Sequence, residues 1–106
     1  MDFERLKGPE KGKQLFKKAK LGFWEYVKSW KMEDPSEFYE AFKTDDISLI
    51  SLENERIAYV INYRFDEPVE FIQTTLNVLF DDRLIAQYHY LQHLNGEVMD
   101  DVLSFE

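Results

Sequence analysis

The chain contains no cysteine, only two histidines, three prolines and four glycines among 106 residues. Without cysteine there is no disulfide scaffold, no thiol catalysis, no iron–sulfur cluster and no cysteine-ligated zinc. Glycines at positions 8, 12, 22 and 96 cannot build a phosphate-binding loop or a dinucleotide-binding fingerprint, and no G-x-S-x-G is present. Long apolar runs are also missing. No stretch approaches the roughly 20 residues that span a bilayer, and the first residues lack an apolar run of about 7–15 residues such as a secretory signal carries. A cytoplasmic protein is therefore expected. No catalytic motif, cofactor or metal is expected either, so binding is favoured over chemistry.

Apolar residues are plentiful at 44%, and aromatics reach 16%. Such a chain folds rather than remaining disordered. At this mass the folded surface is roughly 6,000 Å² against roughly 19,000 Å² unfolded, which leaves a core that needs no staple. A single domain over residues 1–106 is expected, with 1–8 as a flexible start.

The net charge of −8 conceals a division. Residues 1–31 hold nine bases against four acids, a net +5, while residues 32–106 hold four bases against 17 acids, a net −13. Asymmetry of this kind bears on partners. The two parts either attract each other within the fold or present separate surfaces to other molecules.

Helical periodicity runs from about residue 10 to 32, with Pro9 suited to a first turn. On a helical wheel Leu15, Phe16, Ala19, Phe23, Tyr26, Val27 and Trp30 fall within one arc of about 120°, a face wanted by a core. Gly12 and Gly22 weaken this helix, and Gly22 marks either a close contact or a break. Asp34-Pro35-Ser36-Glu37 is a helix-start signal, with Asp34 as cap and Glu37 at the capping-box position. A short helix over 35–43 follows, burying Phe38, Ala41 and Phe42 and closed by Asp45 and Asp46.

The remainder reads as strands. Ile47–Leu52 is short and apolar, Glu53-Asn54-Glu55 suits a turn, and 56–65 alternates, with Ile57, Tyr59, Ile61, Tyr63 and Phe65 on one face. In Val69–Phe80 the apolar set changes parity, which either a β-bulge or burial on both faces explains. Asp81-Asp82 marks a turn. Residues 84–94 fit a strand or a helix; the strand is favoured because Asn95-Gly96 is a strong hairpin signal. A last strand spans about 97–105.

Two helices before an antiparallel meander of four to five strands make an α+β domain, the long helix laid across the sheet. The order of elements resembles that of cystatin-like and NTF2-like rolls. The resemblance covers element order alone and implies no function.

Lys13, Lys17, Lys20, Lys28 and Lys31 lie within about 60° of one another's mean direction on the first helix, with Trp24 among them and Lys18 off the stripe. A tryptophan among lysines suits an interface anchor, and also a ring packed under lysine stems. This face is expected to dock another protein with an acidic surface, or a second copy as a homo-oligomer. A pI near 4.7 argues against nucleic acid. The core's claim on the apolar face argues against a membrane.

His89 and His93 on a strand would stand about 13 Å apart and could not share a metal. Asp100-Asp101 lies inside the last strand, so one of the two must face whatever the sheet packs on and needs a partner such as Arg64, Arg83 or a tyrosine hydroxyl. Tyr59, Tyr63, Tyr88 and Tyr90, with an acid near Asp100, define an alternative expectation: a curled sheet with a tyrosine-lined pocket for a small molecule.

Overall fold

In a computed structural model, residues 9–43, 46–64 and 66–106 are described. Helices α1 (Pro9–Glu33) and α2 (Pro35–Phe42) precede four strands, β1 (Ile50–Asn62), β2 (Val69–Phe80), β3 (Arg83–Gln92) and β4 (Val98–Phe105). The strands form one antiparallel sheet in the order β1-β2-β3-β4, and both helices pack on one face of it. The protein is an α+β fold. The expected flexibility of residues 1–8 and the expected roles of Asp45 and Phe65 lie outside the described residues.

α1 meets the sheet through Leu15, Ala19, Phe23 and Val27, which recur every fourth position and are at most 2% exposed. That spacing keeps them on one line of the helix. Each large apolar side chain fully buried in this way contributes about 1.5–3 kcal/mol. Ala19, Phe23 and Val27 share one core with Leu76 and Val78 of β2 and Ala86 and Tyr88 of β3. Asp34 stops α1 and caps α2, its carboxylate accepting from the Glu37 N–H at 3.1 Å. α2 ends where Lys43 turns left-handed (φ 60°) and its N–H reaches the Tyr39 carbonyl. Phe38 and Phe42 of α2 then close on Trp30.

The turn expected at 53–55 does not exist. β1 runs unbroken from Ile50 to Asn62, preceded by a 3-10 turn over Ile47–Leu49 rather than by a separate strand. Apolar positions are even before residue 54 and odd after 56, which suggests two strands. A bulge at Glu55 reconciles them, because the register with β2 slips there by one residue. Ile50 and Leu52 thus share a face with Ile57, Tyr59 and Ile61. One long strand keeps the whole length of β2 hydrogen-bonded. The amide of Asn77 holds the bulge, donating to Glu53 at 3.2 Å and Glu55 at 2.8 Å.

β2 itself carries no such slip against β1. Its change of parity reflects burial on both faces, with Phe71, Thr75 and Asn77 buried on one side and Ile72, Leu76 and Val78 on the other. Residues 84–94 contribute a strand, β3, as the hairpin signal suggests. Asp81 and Asp82 both adopt positive φ (49° and 63°), the geometry of a two-residue hairpin turn that matches strand twist.

On the sheet face away from the helices, the His89 ring nitrogen Nδ1 sits 3.0 Å from the Thr75 hydroxyl and 3.3 Å from the Gln73 amide. Burial, and secondarily the Arg56 charge, hold His89 below its ordinary value of 6.5. The folded state therefore favours the neutral ring, and the unfolded chain takes up the proton first as pH falls. Stability from this site is complete above about pH 6.5 and declines as pH drops towards the folded value. Urea midpoints measured from pH 7.5 to 5.5 will fall more steeply in the wild type than in His89→Gln; equal slopes would refute this.

Candidate functional site

α1 divides the helical face of the molecule into two flanks, and the exposed Leu21 borders both. On the first flank Lys13, Phe16, Lys17, Lys20, Leu21 and Trp24, together with Asn54 of β1, line a cleft of about 300 Å³. Trp24 is half-buried. Its ring stands edge-on to Phe23, with centroids 5.0 Å apart and planes at 74°. Phe16 and Trp24 both pack against the core, so the cleft has an apolar floor held rigidly by the helix. Lys13 and Lys17 are exposed, and Lys20 is half-buried at its side.

The lysine stripe does not act as one unit. Lys13, Lys17 and Lys20 gather at the cleft, whereas Lys28 and Lys31 do not line it. Lys31 is half-buried and its charge acts on Asp46, at the 3-10 turn. The Asp46 carboxyl is held below the usual carboxylate range chiefly by hydrogen bonds from the Ser48 hydroxyl and N–H, with Lys31 a smaller influence.

The second flank is an open groove of about 1230 Å³ between the helices and the β3–β4 side of the sheet. Tyr26, Trp30, Tyr90, Leu103 and Phe105 provide its apolar surface, and Glu25, Glu33, Asp34, Glu37, Glu40 and Asp101 its acids. Most of these acids come from the helices. The charge boundary therefore lies along α1 rather than between helix and sheet. Among the described residues Lys18 is the one cation lining the groove, and its ammonium donates to the Gly96 carbonyl in the β3–β4 turn.

Tyr90 lines this groove and Tyr88 lies fully buried next to it, but Tyr59 and Tyr63 do not join them. Tyr59 lies on β1, two strands from β3, where hydrogen bonding to Glu70 raises its pKa, and Tyr63 is 74% exposed beyond the end of β1. The acid beside Tyr88 is Asp101, not Asp100. The Tyr88 hydroxyl donates to the Asp101 carboxylate at 2.7 Å. Burial, then this bond and charge, drive Tyr88 above the ordinary phenol range, so it remains neutral. Tyr26 and Tyr90 are raised in the same direction, by burial first and Asp101 second.

The exchange of Asp100 for Asp101 has a definite cause. Around Asn95-Gly96 the chain forms a three-residue loop, with the His93 N–H on the Glu97 carbonyl at 2.8 Å and Gly96 at φ 95°. Counting straight back from that turn places Asp100 opposite Tyr90. A one-residue slip at Met99 places Asp101 there instead and sends Asp100 to the other face, opposite Leu91. Nothing in the local sequence announces this bulge. The Lys18 latch was equally hidden, because its partner is a backbone carbonyl 78 positions away.

Among the described residues, no group of three or more histidines and acids is arranged to hold a metal ion. His89 lies in β3 and His93 in the turn beyond it. No described helix is long and apolar enough to cross a membrane. No protein-family model, curated protein or solved structure matches the chain. The likeness to cystatin-like and NTF2-like rolls accordingly stays at element order.

Proposed function

We propose that the protein is a non-catalytic binding domain that docks an acidic segment of another protein on the Trp24 flank of α1. One observation carries this reading: Phe16 and Trp24 floor a cleft beside which Lys13, Lys17 and Lys20 project. Exposed lysines raise the encounter rate with an acidic partner, and the apolar floor then receives one bulky side chain of that partner. Aromatic residues in half-buried, rigid positions are where interface energy concentrates. The partner is therefore a run of Asp and Glu interrupted by a large apolar residue.

The test uses a labelled short peptide of aspartate and glutamate around one central phenylalanine, followed by fluorescence anisotropy. Trp24→Ala combined with Lys17→Glu is expected to weaken binding by about tenfold or more, equivalent to about 1.4 kcal/mol. Lys17→Glu alone will weaken it less while leaving the exposed position free of packing consequences. Replacing the peptide's phenylalanine by serine will also weaken it. A folded double variant that binds as tightly as the wild type would refute the proposal.

A further inference from the structure

We propose that the groove on the other flank of α1 binds a cationic peptide in extended form, laid along β4 as a fifth strand. Three features of the fold lead there.

The first is incomplete cover. A helix is about 10–12 Å across with its side chains, while four strands at about 4.8 Å spacing make a wider face. α1 spends its width over β1, β2 and β3. β4 is only partly covered on the helical side: Phe105, opposite Ala86, meets Trp30 and Phe42 yet stays 42% exposed. Asp101, Leu103 and Phe105 repeat every second residue along this face, the period an extended ligand would match.

The second is the free edge. β4 is the outermost strand, so alternate N–H and C=O groups point away from β3. Asp100 marks this directly. Its own carboxylate accepts the Asp101 N–H at 2.8 Å, where a neighbouring strand would otherwise supply a carbonyl. Addition of a strand to such an edge is an established way of holding a peptide.

The third is charge, and it selects the occupant. Glu33, Glu37 and Glu40 are exposed along the helical wall, and Asp101 lies on the opposite side. Lys18, the lining cation, is committed to Gly96. Pairing β4 with β4 of a second copy would bring Asp100 and Asp101 against the same acids, which like-charge repulsion disfavours. A strand added beside β4 turns every second side chain towards the helices, so lysine or arginine at those positions meets the rim carboxylates and the rings of Trp30 and Phe105, while apolar residues at the alternate positions lie on the other sheet face beside the exposed Val102. Cations can also rest on those aromatic faces.

The probe is a fluorescein-labelled peptide of alternating lysine and leucine, followed by anisotropy. It is expected to bind, and a glutamate–leucine peptide to bind about tenfold or more weakly. Glu33→Gln with Glu37→Gln and Glu40→Gln, all at exposed positions, will weaken the lysine–leucine peptide to a similar extent without moving the thermal midpoint. N-methylation of the peptide's alternate backbone nitrogens, on the edge that would pair with β4, will weaken it as well. The Trp24→Ala, Lys17→Glu variant will bind it like the wild type, which keeps this surface separate from the first flank. Equal binding by the triple variant, or by the N-methylated peptide, would overturn the proposal.

Discussion

Replacing Phe23 by alanine will lower the unfolding free energy by about 3–5 kcal/mol, the range for deleting a buried aromatic ring. Phe23 is fully buried at the centre of the α1 ridge. Its ring meets Tyr88 edge-on at 5.4 Å and Trp24 at 5.0 Å, so the deletion removes two aromatic contacts as well as apolar area. Neighbours tied into the sheet cannot collapse freely into the space, because Tyr88 is itself held by its bond to Asp101. Domains of this size are stable by about 5–15 kcal/mol, so the variant loses a large share of that stability. Urea denaturation followed by circular dichroism measures the difference. A loss below about 1 kcal/mol would show that α1 is not held to the sheet through this residue. Because Phe23 sets the distance between helix and sheet, both flanks of α1 should loosen with it.

Gly22→Leu will also destabilise, by about 2–3 kcal/mol net. A Cβ at position 22 would come within 2.6 Å of the Tyr90 ring and 3.0 Å of the Tyr88 hydroxyl. Tyr90 is only 5% exposed and has little room to retreat, so the helix must lift from β3. Removing a glycine from a helix interior gains about 1 kcal/mol, which offsets part of this overpacking but does not cancel it. Gly12 supplies the control within the same helix. A Cβ there meets nothing within 4 Å, so Gly12→Ala will stabilise by about 0.5–1 kcal/mol. Thermal melts of the two variants should shift in opposite directions. A shift of the same sign would mean that the close approach at Gly22 does not govern the packing of α1.

Local chemistry explains which elements could be read directly. Asp34-Pro35-Ser36-Glu37 starts a helix wherever it occurs, because the cap and the proline act within one turn. The arc from Leu15 to Trp30 is equally local: it needs only the helical period, and the same seven residues are buried or half-buried in the structure. The registers were not readable. Glu55 and Met99 each shift a strand by one position against its neighbour, and a neighbour's register is set by pairings outside the segment itself. A single slip reverses every later side chain. This is why the turn at 53–55 was expected where β1 continues, and why Asp100 was expected where Asp101 meets Tyr88. Strand order is a separate matter: Tyr59 shares a sheet face with Tyr88 and Tyr90 but β2 stands between them, and Tyr63 lies beyond the end of β1.

The absence of cysteine and of long apolar runs, together with the helical and alternating periods, determined an α+β fold of two helices and an antiparallel sheet. These properties depend on residues near one another in the chain and on composition. The three-dimensional arrangement decided where charge and aromatic surface meet. It divided α1 into a flank with lysines around Trp24 and a flank with carboxylates above Trp30 and Tyr90. It also left β4 only partly covered, because one helix is narrower than four strands. Those outcomes depend on contacts between residues as distant as Lys18 and Gly96, which no periodicity within a segment records.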